Sequence, residues 1–325
     1  MKITFLGTGS ACPTRSRNVS SLALQLPEMA TLWLFDCGEG TQHQILRSPL
    51  RLSQLDCMFF THLHGDHLFG LPGLLASRSL QNAGHSPVTL FGPPGLEDFV
   101  RVALGVSHTH PGYPMRFQVL EPGVIYENSR FQVVCAPMHH RVESFGFAVL
   151  EKPLPGAFNV DLARSLNIPE GPVYGRLKSG ETVTLQDGRT IDGGQLVGKD
   201  RPGRRFAYTG DTVFSNAAVA LGLDADMLVH EATYLQADEM QARRGFHSTA
   251  QGAARTALEA GAHSLYLTHF SARYETGPQL TSLLQEAQAI FPNTILAYDF
   301  LSVEIPLREV ASPTVERLET ASVPT

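Results

Sequence analysis

The stretch that decides the fold runs Thr61-His62-Leu63-His64-Gly65-Asp66-His67, directly after the apolar residues 55–60. Three histidines and one aspartate this close together supply the ligand set of a hydrolytic zinc site, neutral imidazoles with a carboxylate. In a helix, residues i and i+2 point to nearly opposite sides, so the spacing H-x-H-x-D-H suits a loop curling at the end of a strand. A polar turn that is merely rich in histidine is the plain alternative, and this density at ligand spacing weighs against it. Two ligands at one end and an Asp-His pair at the other can feed two metals. Two-metal sites serve in-line displacement at phosphorus or at a carbonyl.

Outward from this motif one pattern repeats. Residues 57–61 precede His62, residues 131–138 precede His139-His140, residues 205–210 precede Asp211, and residues 264–268 precede His269. Continuous apolar strands are buried on both faces. Ligands emerging from successive strand ends then converge on one rim of a layered α/β domain. A loop cap explains any one of these residues, whereas four strand ends in succession favour a shared rim. Residues 3–6, 21–26 and 31–35 read as a strand meander. Helices are expected over 70–81 with a break near Pro72, and over 94–104 with Pro94 in the first turn. Two more are expected over 248–260, capped by Ser248 and ended by Gly261, and over 278–290.

The 325 residues, 43% hydrophobic, are ample for one large domain or two small ones. No apolar run is long enough to span a membrane, and the N-terminus lacks the marks of a signal peptide. Cys12, Cys37, Cys57 and Cys135 form no C-x-x-C pair. They read as small core residues of a chain in a reducing, cytoplasmic setting. The net charge of −6 argues against nucleic acid, but it hides a local reversal. Residues 152–205 hold nine Lys or Arg against six Asp or Glu, a local +3 that leaves −9 elsewhere. A basic appendage on an acidic body is a site for a polyanion, with a solvated, charge-mixed loop as the equal alternative. Pro153-Leu154-Pro155-Gly156, Pro169-Glu170-Gly171-Pro172 and Gly193-Gly194 punctuate this stretch. Such turn density argues against a packed core. Residues 152–204 therefore read as an inserted extended arm, with one short helix over 160–166 and a hairpin around Asp187-Gly188. The arm separates residues 1–151 from residues 205–310, and a fraying tail covers 311–325.

Several longer strings resemble the metallo-β-lactamase superfamily, and more narrowly the ribonuclease Z family of tRNA 3′-end endonucleases. They include Phe5-Leu6-Gly7-Thr8-Gly9, Phe35-Asp36-Cys37-Gly38-Glu39-Gly40, and the histidine motif extended through Leu68-Phe69-Gly70-Leu71-Pro72-Gly73. Further matches are His140-Arg141-Val142-Glu143-Ser144-Phe145-Gly146, Thr209-Gly210-Asp211-Thr212, His230-Glu231-Ala232-Thr233, His247-Ser248-Thr249 and His269-Phe270-Ser271-Ala272-Arg273-Tyr274. Residues 171–180 resemble that family's protruding glycine- and proline-rich arm. The resemblance covers about residues 1–307.

The resemblance implies an α/β fold, a four-layer αββα metallo-β-lactamase sandwich with an inserted extended arm. It implies two Zn2+ ions per subunit, one held by His62, His64 and His140 and the other by Asp66, His67 and His269, with Asp211 bridging. His139 also suits the third position, and the family motif prefers His140. Asp66 is implied as ligand and proton acceptor, and His247 as the group that stabilises the transition state or protonates the departing oxygen. Glu231 is a weaker candidate to orient His247. Arg15, Arg17 and Asn18 fall in a loop resembling the family's Pro-x-Lys-x-Arg-Asn loop at the RNA 3′ end, with Arg15 replacing lysine. Arg273, Arg176 and Lys178 are further candidate substrate contacts.

The implied activity is removal of 3′ trailers from precursor tRNA by metal-hydroxide attack on the phosphodiester after the discriminator nucleotide. The tRNA would keep a 3′-hydroxyl and the trailer a 5′-phosphate, and a homodimer would clamp the substrate. A small-molecule metallo-hydrolase of the same fold would share the metal motif but would not need the basic arm. A non-enzymatic RNA-binding module would show ligand loss, and none is seen. His43, His85, His108, His110 and His263 have no ligand spacing and read as surface or capping residues. Trp33 reads as core.

Overall fold

A computed structural model of the chain describes residues 1–81, 86–274 and 278–308. The chain divides into two compact units, Met1–Glu151 with Arg204–Pro306, and a second that contains Lys152–Gly203.

In the first unit, two seven-stranded sheets form among the described residues. One runs, in spatial order, Ser302–Glu304, Lys2–Gly7, Ser21–Leu26, Thr31–Phe35, Leu55–Phe59, Val88–Gly92 and Met115–Val119. The other runs Thr294–Leu296, Leu265–Thr268, Met227–Glu231, Arg205–Tyr208, Ser144–Glu151, Phe131–Met138 and Gly123–Glu127. Phe5, Trp33, Phe35 and Phe59 from the first sheet pack against Phe131, Phe147, Phe206 and Tyr208 from the second. Helices cover the outer faces. Leu71–Leu80 and Leu96–Val106 lay Leu74, Leu75 and Val100 on the first sheet. Ala250–Glu259 lays Ala250, Ala253, Ala254 and Ala257 on the second. Alanines on that face let the helix lie close to the sheet while its Thr249 cap satisfies Gly252 N–H at 3.1 Å. The result is the four-layer αββα sandwich, built as sheet patterning requires. Met227–Glu231 is buried at every position, as a central parallel strand must be, whereas Phe131–Met138 mostly alternates.

Several expectations shift in detail. The helix over Leu71–Leu80 is unbroken, because Pro72 sits in its first turn, where no backbone donor is lost. The next helix starts at Leu96, past Pro94, with Gly95 as its cap at φ +97. Thr249 replaces Ser248 as the cap, and Ser248 Oγ instead donates to Thr212 O at 2.6 Å. Cys12 is exposed, unlike the three buried cysteines. The tail and His85 lie outside the described residues.

In the second unit the expectation of no packed core is corrected. Ala163, Ile168, Leu177, Val183, Leu185 and Leu196 are buried together. They come from the helix Val160–Ser165, a second helix Pro172–Lys178 that turn density concealed, and the hairpin Thr182–Thr184/Thr190–Asp192. Prolines and glycines here punctuate short elements, and enough apolar residues remain between them to make a small core.

The chain leaves and re-enters the sandwich at one point. Glu151 N–H donates to Arg204 O at 2.9 Å, between antiparallel strands that pair Leu150 with Arg205. The Glu151 carboxylate is fully buried and accepts from Arg204 Nε at 2.6 Å and Arg130 Nη2 at 2.9 Å. Burial opposes its ionisation, but the two guanidinium groups prevail and bring its pKa down to about 2. A depressed carboxylate contributes stability that is complete above its ordinary value of 4.5 and is lost as pH falls through about 2. Glu151→Ala leaves the buried Arg204 with only the longer 3.4 Å pair to Glu28, and chemical denaturation should show a loss of roughly 3–5 kcal/mol at neutral pH that shrinks toward pH 2. An unchanged midpoint at neutral pH would contradict this.

Candidate metal centre

His62 and His64 follow the strand Leu55–Phe59, His64 in extended backbone, while Asp66 and His67 lie on one helical turn, Gly65–Leu68. The motif is thus half loop and half helical turn, which turns His67 back toward His62. His140 follows Phe131–Met138. Asp211 follows Arg205–Tyr208 after Gly210, where φ is +61 and a Cβ would meet Thr61 Cγ2 at 2.6 Å. His269 ends Leu265–Thr268 with φ +60. The strands before Asp211 and His269 run parallel within one sheet, so their C-terminal ends share an edge.

The ligand atoms meet in two groups. His62 Nε2 lies 3.0 Å from His64 Nδ1, which lies 3.3 Å from His140 Nε2. Asp66 Oδ2 lies 3.4 Å from His269 Nε2 and 3.6 Å from His67 Nε2, and those two nitrogens are 3.4 Å apart. Asp211 Oδ2 stands between the groups, 3.3 Å from His269, 3.4 Å from His67 and 3.8 Å from His62. Two donors about 2.05 Å from one tetrahedral ion sit roughly 3.3 Å apart, so this donor set fits a metal ion. His139 is exposed and joins no group, whereas His140 does. His247 also comes within ligand distance of His140 and Asp211, and of Glu231 and His269. Its Nδ1 is held by Glu231 Oε1 at 2.9 Å.

The second nitrogen of four of the inward rings, those of His62, His67, His140 and His269, is occupied. Thr61 Oγ1 lies 3.0 Å from His62 Nδ1, Asp36 Oδ2 2.8 Å from His67 Nδ1, and Thr233 Oγ1 2.9 Å from His269 Nδ1. His140 Nδ1 donates to Phe246 O at 2.9 Å. Such partners fix the tautomer and aim Nε2 inward. Sequence reasoning assigned none of these four a role. Asp36, Thr61 and Thr233 stand in quoted motifs, but spacing does not show which ring each meets. Phe246 acts through its backbone, which leaves no trace in side-chain pattern. Its left-handed φ of +59 costs on the order of 1–3 kcal/mol, a strain that collects at functional sites.

Electrostatics match a cation. Burial holds His62, His64 and His140 below the ordinary histidine pKa, so they are neutral donors. Burial also opposes charge on His67, yet Asp211, Asp36 and Asp66 around it raise its pKa well above the ordinary value. Three carboxylates around one buried imidazole make a pocket of negative charge. Burial works against a proton on His247, but Glu231 raises its pKa to about 9.

The candidate RNA contacts divide. Arg17 is committed within the fold: Nη1 donates to Thr8 Oγ1 at 2.6 Å and Ala297 O at 2.8 Å, and the guanidinium lies 4.7 Å over Phe270. These contacts tie the loop to the sandwich. Asn18 donates to Glu39 O at 2.8 Å, and Arg15 is exposed. Arg273 lies over Tyr234 and 3.8 Å from Asp238. Arg176, paired with Glu181 at 2.9 Å, and the exposed Lys178 belong to the other unit.

Comparison with known proteins gives concordant likenesses. A family model described as "Anti-Pycsar protein Apyc1" matches residues 1–105, and one described as "Beta-lactamase superfamily domain" matches residues 175–270. A protein named ribonuclease Z from Trichodesmium erythraeum is 57% identical over 94% of this chain and 96% of its own. One from Nostoc sp. is 53% identical over 99% of this chain and 100% of its own. Human tRNase Z, short form, superposes with a TM-score of 0.69 at 32% identity, covering 94% of this chain and 100% of that one. A metallo-β-lactamase fold protein from Bacillus subtilis, at 17% identity and TM-score 0.65, shares the fold over 93% of this chain and 98% of its own.

The outer partners carry a testable consequence. Asp36→Asn and Thr233→Val should each weaken metal affinity roughly 10- to 100-fold, read by competition with a chromophoric chelator. Affinities equal to wild type would remove these residues from the site.

Proposed function

The chain belongs to the ribonuclease Z family and is an endoribonuclease of the metallo-β-lactamase fold, and from that premise we propose that it removes 3′ trailers from precursor tRNA with two zinc ions. The observation that carries the two-ion reading is a pair of ligand groups meeting at one buried carboxylate, beside a histidine held by Glu231. His62, His64 and His140 would hold one ion, Asp66, His67 and His269 the other, with Asp211 shared. When bound, such a pair supplies Lewis acidity and a water ionised near neutral pH.

The remaining steps belong to side chains. Asp66 Oδ2 accepts Ala11 N–H at 2.7 Å, which steadies the carboxylate as it takes a proton from the attacking water. His247, its Nδ1 fixed by Glu231, presents Nε2 to the 3′-oxygen after the discriminator nucleotide and gives it a proton as the bond breaks. The products are a tRNA 3′-hydroxyl and a trailer 5′-phosphate. Residues 152–203 supply the grip on the tRNA body through salt-sensitive phosphate contacts, Arg176 and Lys178 among them. Arg15 contacts the 3′ end. The protein works as a cytoplasmic homodimer in which one subunit's arm presents tRNA to the other's site.

Purified protein should contain close to two zincs per chain and cut precursor tRNA and bis(p-nitrophenyl) phosphate, both activities failing with chelator. Asp211→Ala should abolish cutting and lower metal content at both positions. Hydrolysis of the small diester with no cutting of precursor tRNA would instead favour a small-phosphodiester hydrolase. Joining Glu151 to Arg204 through a short linker in place of residues 152–203 should abolish tRNA processing and spare the small diester. Equal loss of both would make the arm part of the site. Heterodimers of that deletion with His247→Ala should regain tRNA cutting, and verified heterodimers without activity would exclude the trans arrangement.

A further inference from the structure

His247 borders two cavities. One, of about 540 Å³, is also lined by the candidate ligands His64, Asp66, Asp211 and His269. The other, of about 450 Å³, lies beyond His247 and touches none of the seven candidate ligands. Its size suits a small ligand or one unit of a larger one.

The walls of this second cavity are planar. The rings of His139 and Phe246 stack with centroids 5.7 Å apart at 18°. The Arg255 guanidinium lies 4.5 Å over the ring of Phe214. All four side chains line the cavity together with His247. Aromatic faces and guanidinium planes bind nucleobases by stacking, with little regard to base identity. The cations here are locally balanced: Arg243 pairs with Glu239 at 2.7 Å and Arg255 with Glu259 at 3.5 Å. That balance favours a base over a phosphate. The left-handed Phe246 links the second cavity to the candidate ligands, since its carbonyl holds His140 while the residue lines the cavity.

The reaction assigned above decides which base. An in-line displacement places the attacking water and the departing oxygen on opposite sides of phosphorus. The water belongs to the ligand side, and His247 protonates the departing 3′-oxygen. The nucleoside carrying that oxygen is directed past His247, away from the ligands. We propose that the cavity formed by His139, Phe214, Phe246 and Arg255 is a stacking subsite for the nucleobase immediately 5′ of the cleaved bond. This rests on the endoribonuclease reading of the site.

The test measures binding of the metal-loaded protein to trimmed tRNA ending at the discriminator nucleotide, with its last base present or abasic. Loss of one stacked base should weaken wild-type binding roughly five- to hundredfold. Phe214→Ala and Arg255→Gln should each bring that ratio toward one, as coupled changes do in a mutant cycle. Arg255 is exposed, so its variant reports even if Phe214→Ala folds poorly. A wild-type ratio of one, or the full wild-type ratio in Arg255→Gln, would overturn the subsite. Precursor cutting that ignores the discriminator base would overturn it while leaving the endoribonuclease reading intact. Failure both to bind tRNA and to cut it would overturn both.

Discussion

Asp211 is 2% exposed and has His62, His67 and His269 within 3.8 Å of its Oδ2. A carboxylate removed from water this completely is costly unless positive charge faces it, and burying a second carboxylate, Asp36, behind His67 deepens the demand. Burial keeps His62, His64 and His140 neutral, so these imidazoles do not meet it. In the two-ion reading proposed above, bound cations would balance the pocket. The converging nitrogens, the occupied outer nitrogens and the short polar partners from Thr61 and Thr233 are arrangements for receiving them. The sandwich serves this arrangement by ending four apolar strands on one rim.

That rim was legible in the chain because ligand type and strand pattern coincide. The apolar run before His62, the alternating run before His140 and the runs before Asp211 and His269 each announce both a buried strand and what leaves its end. The αββα layering followed only through family resemblance, because periodicity alone does not tell which sheet a strand joins. Residues that act through geometry stayed hidden. Asp36 reaches His67 from 31 positions away. Phe246 holds His140 through a carbonyl, and Arg17 bonds Thr8 and Ala297, partners that no local window displays. Turn residues likewise misled at residues 152–203, where Leu177 and Leu196 meet in a small core that no local window displays.

The insertion is compatible with the sandwich because its ends are already joined. Glu151 and Arg204 close the gap with a backbone hydrogen bond and a buried ion pair, so the strands Ser144–Glu151 and Arg205–Tyr208 pair irrespective of what lies between them. Among the described residues, the core of residues 152–203 is built from its own side chains, as are those of the sandwich.

The central claim is that buried negative charge and converging imidazoles hold two ions bridged by Asp211. Anomalous diffraction at the zinc edge from crystals of the loaded protein tests it most directly. Two peaks are expected roughly 3.5–4 Å apart. One should lie about 2.0–2.1 Å from His62 Nε2, His64 Nδ1 and His140 Nε2, and the other at that distance from His67 Nε2 and His269 Nε2. A single peak in fully loaded protein, or two peaks with Asp211 bound to neither, would contradict the claim.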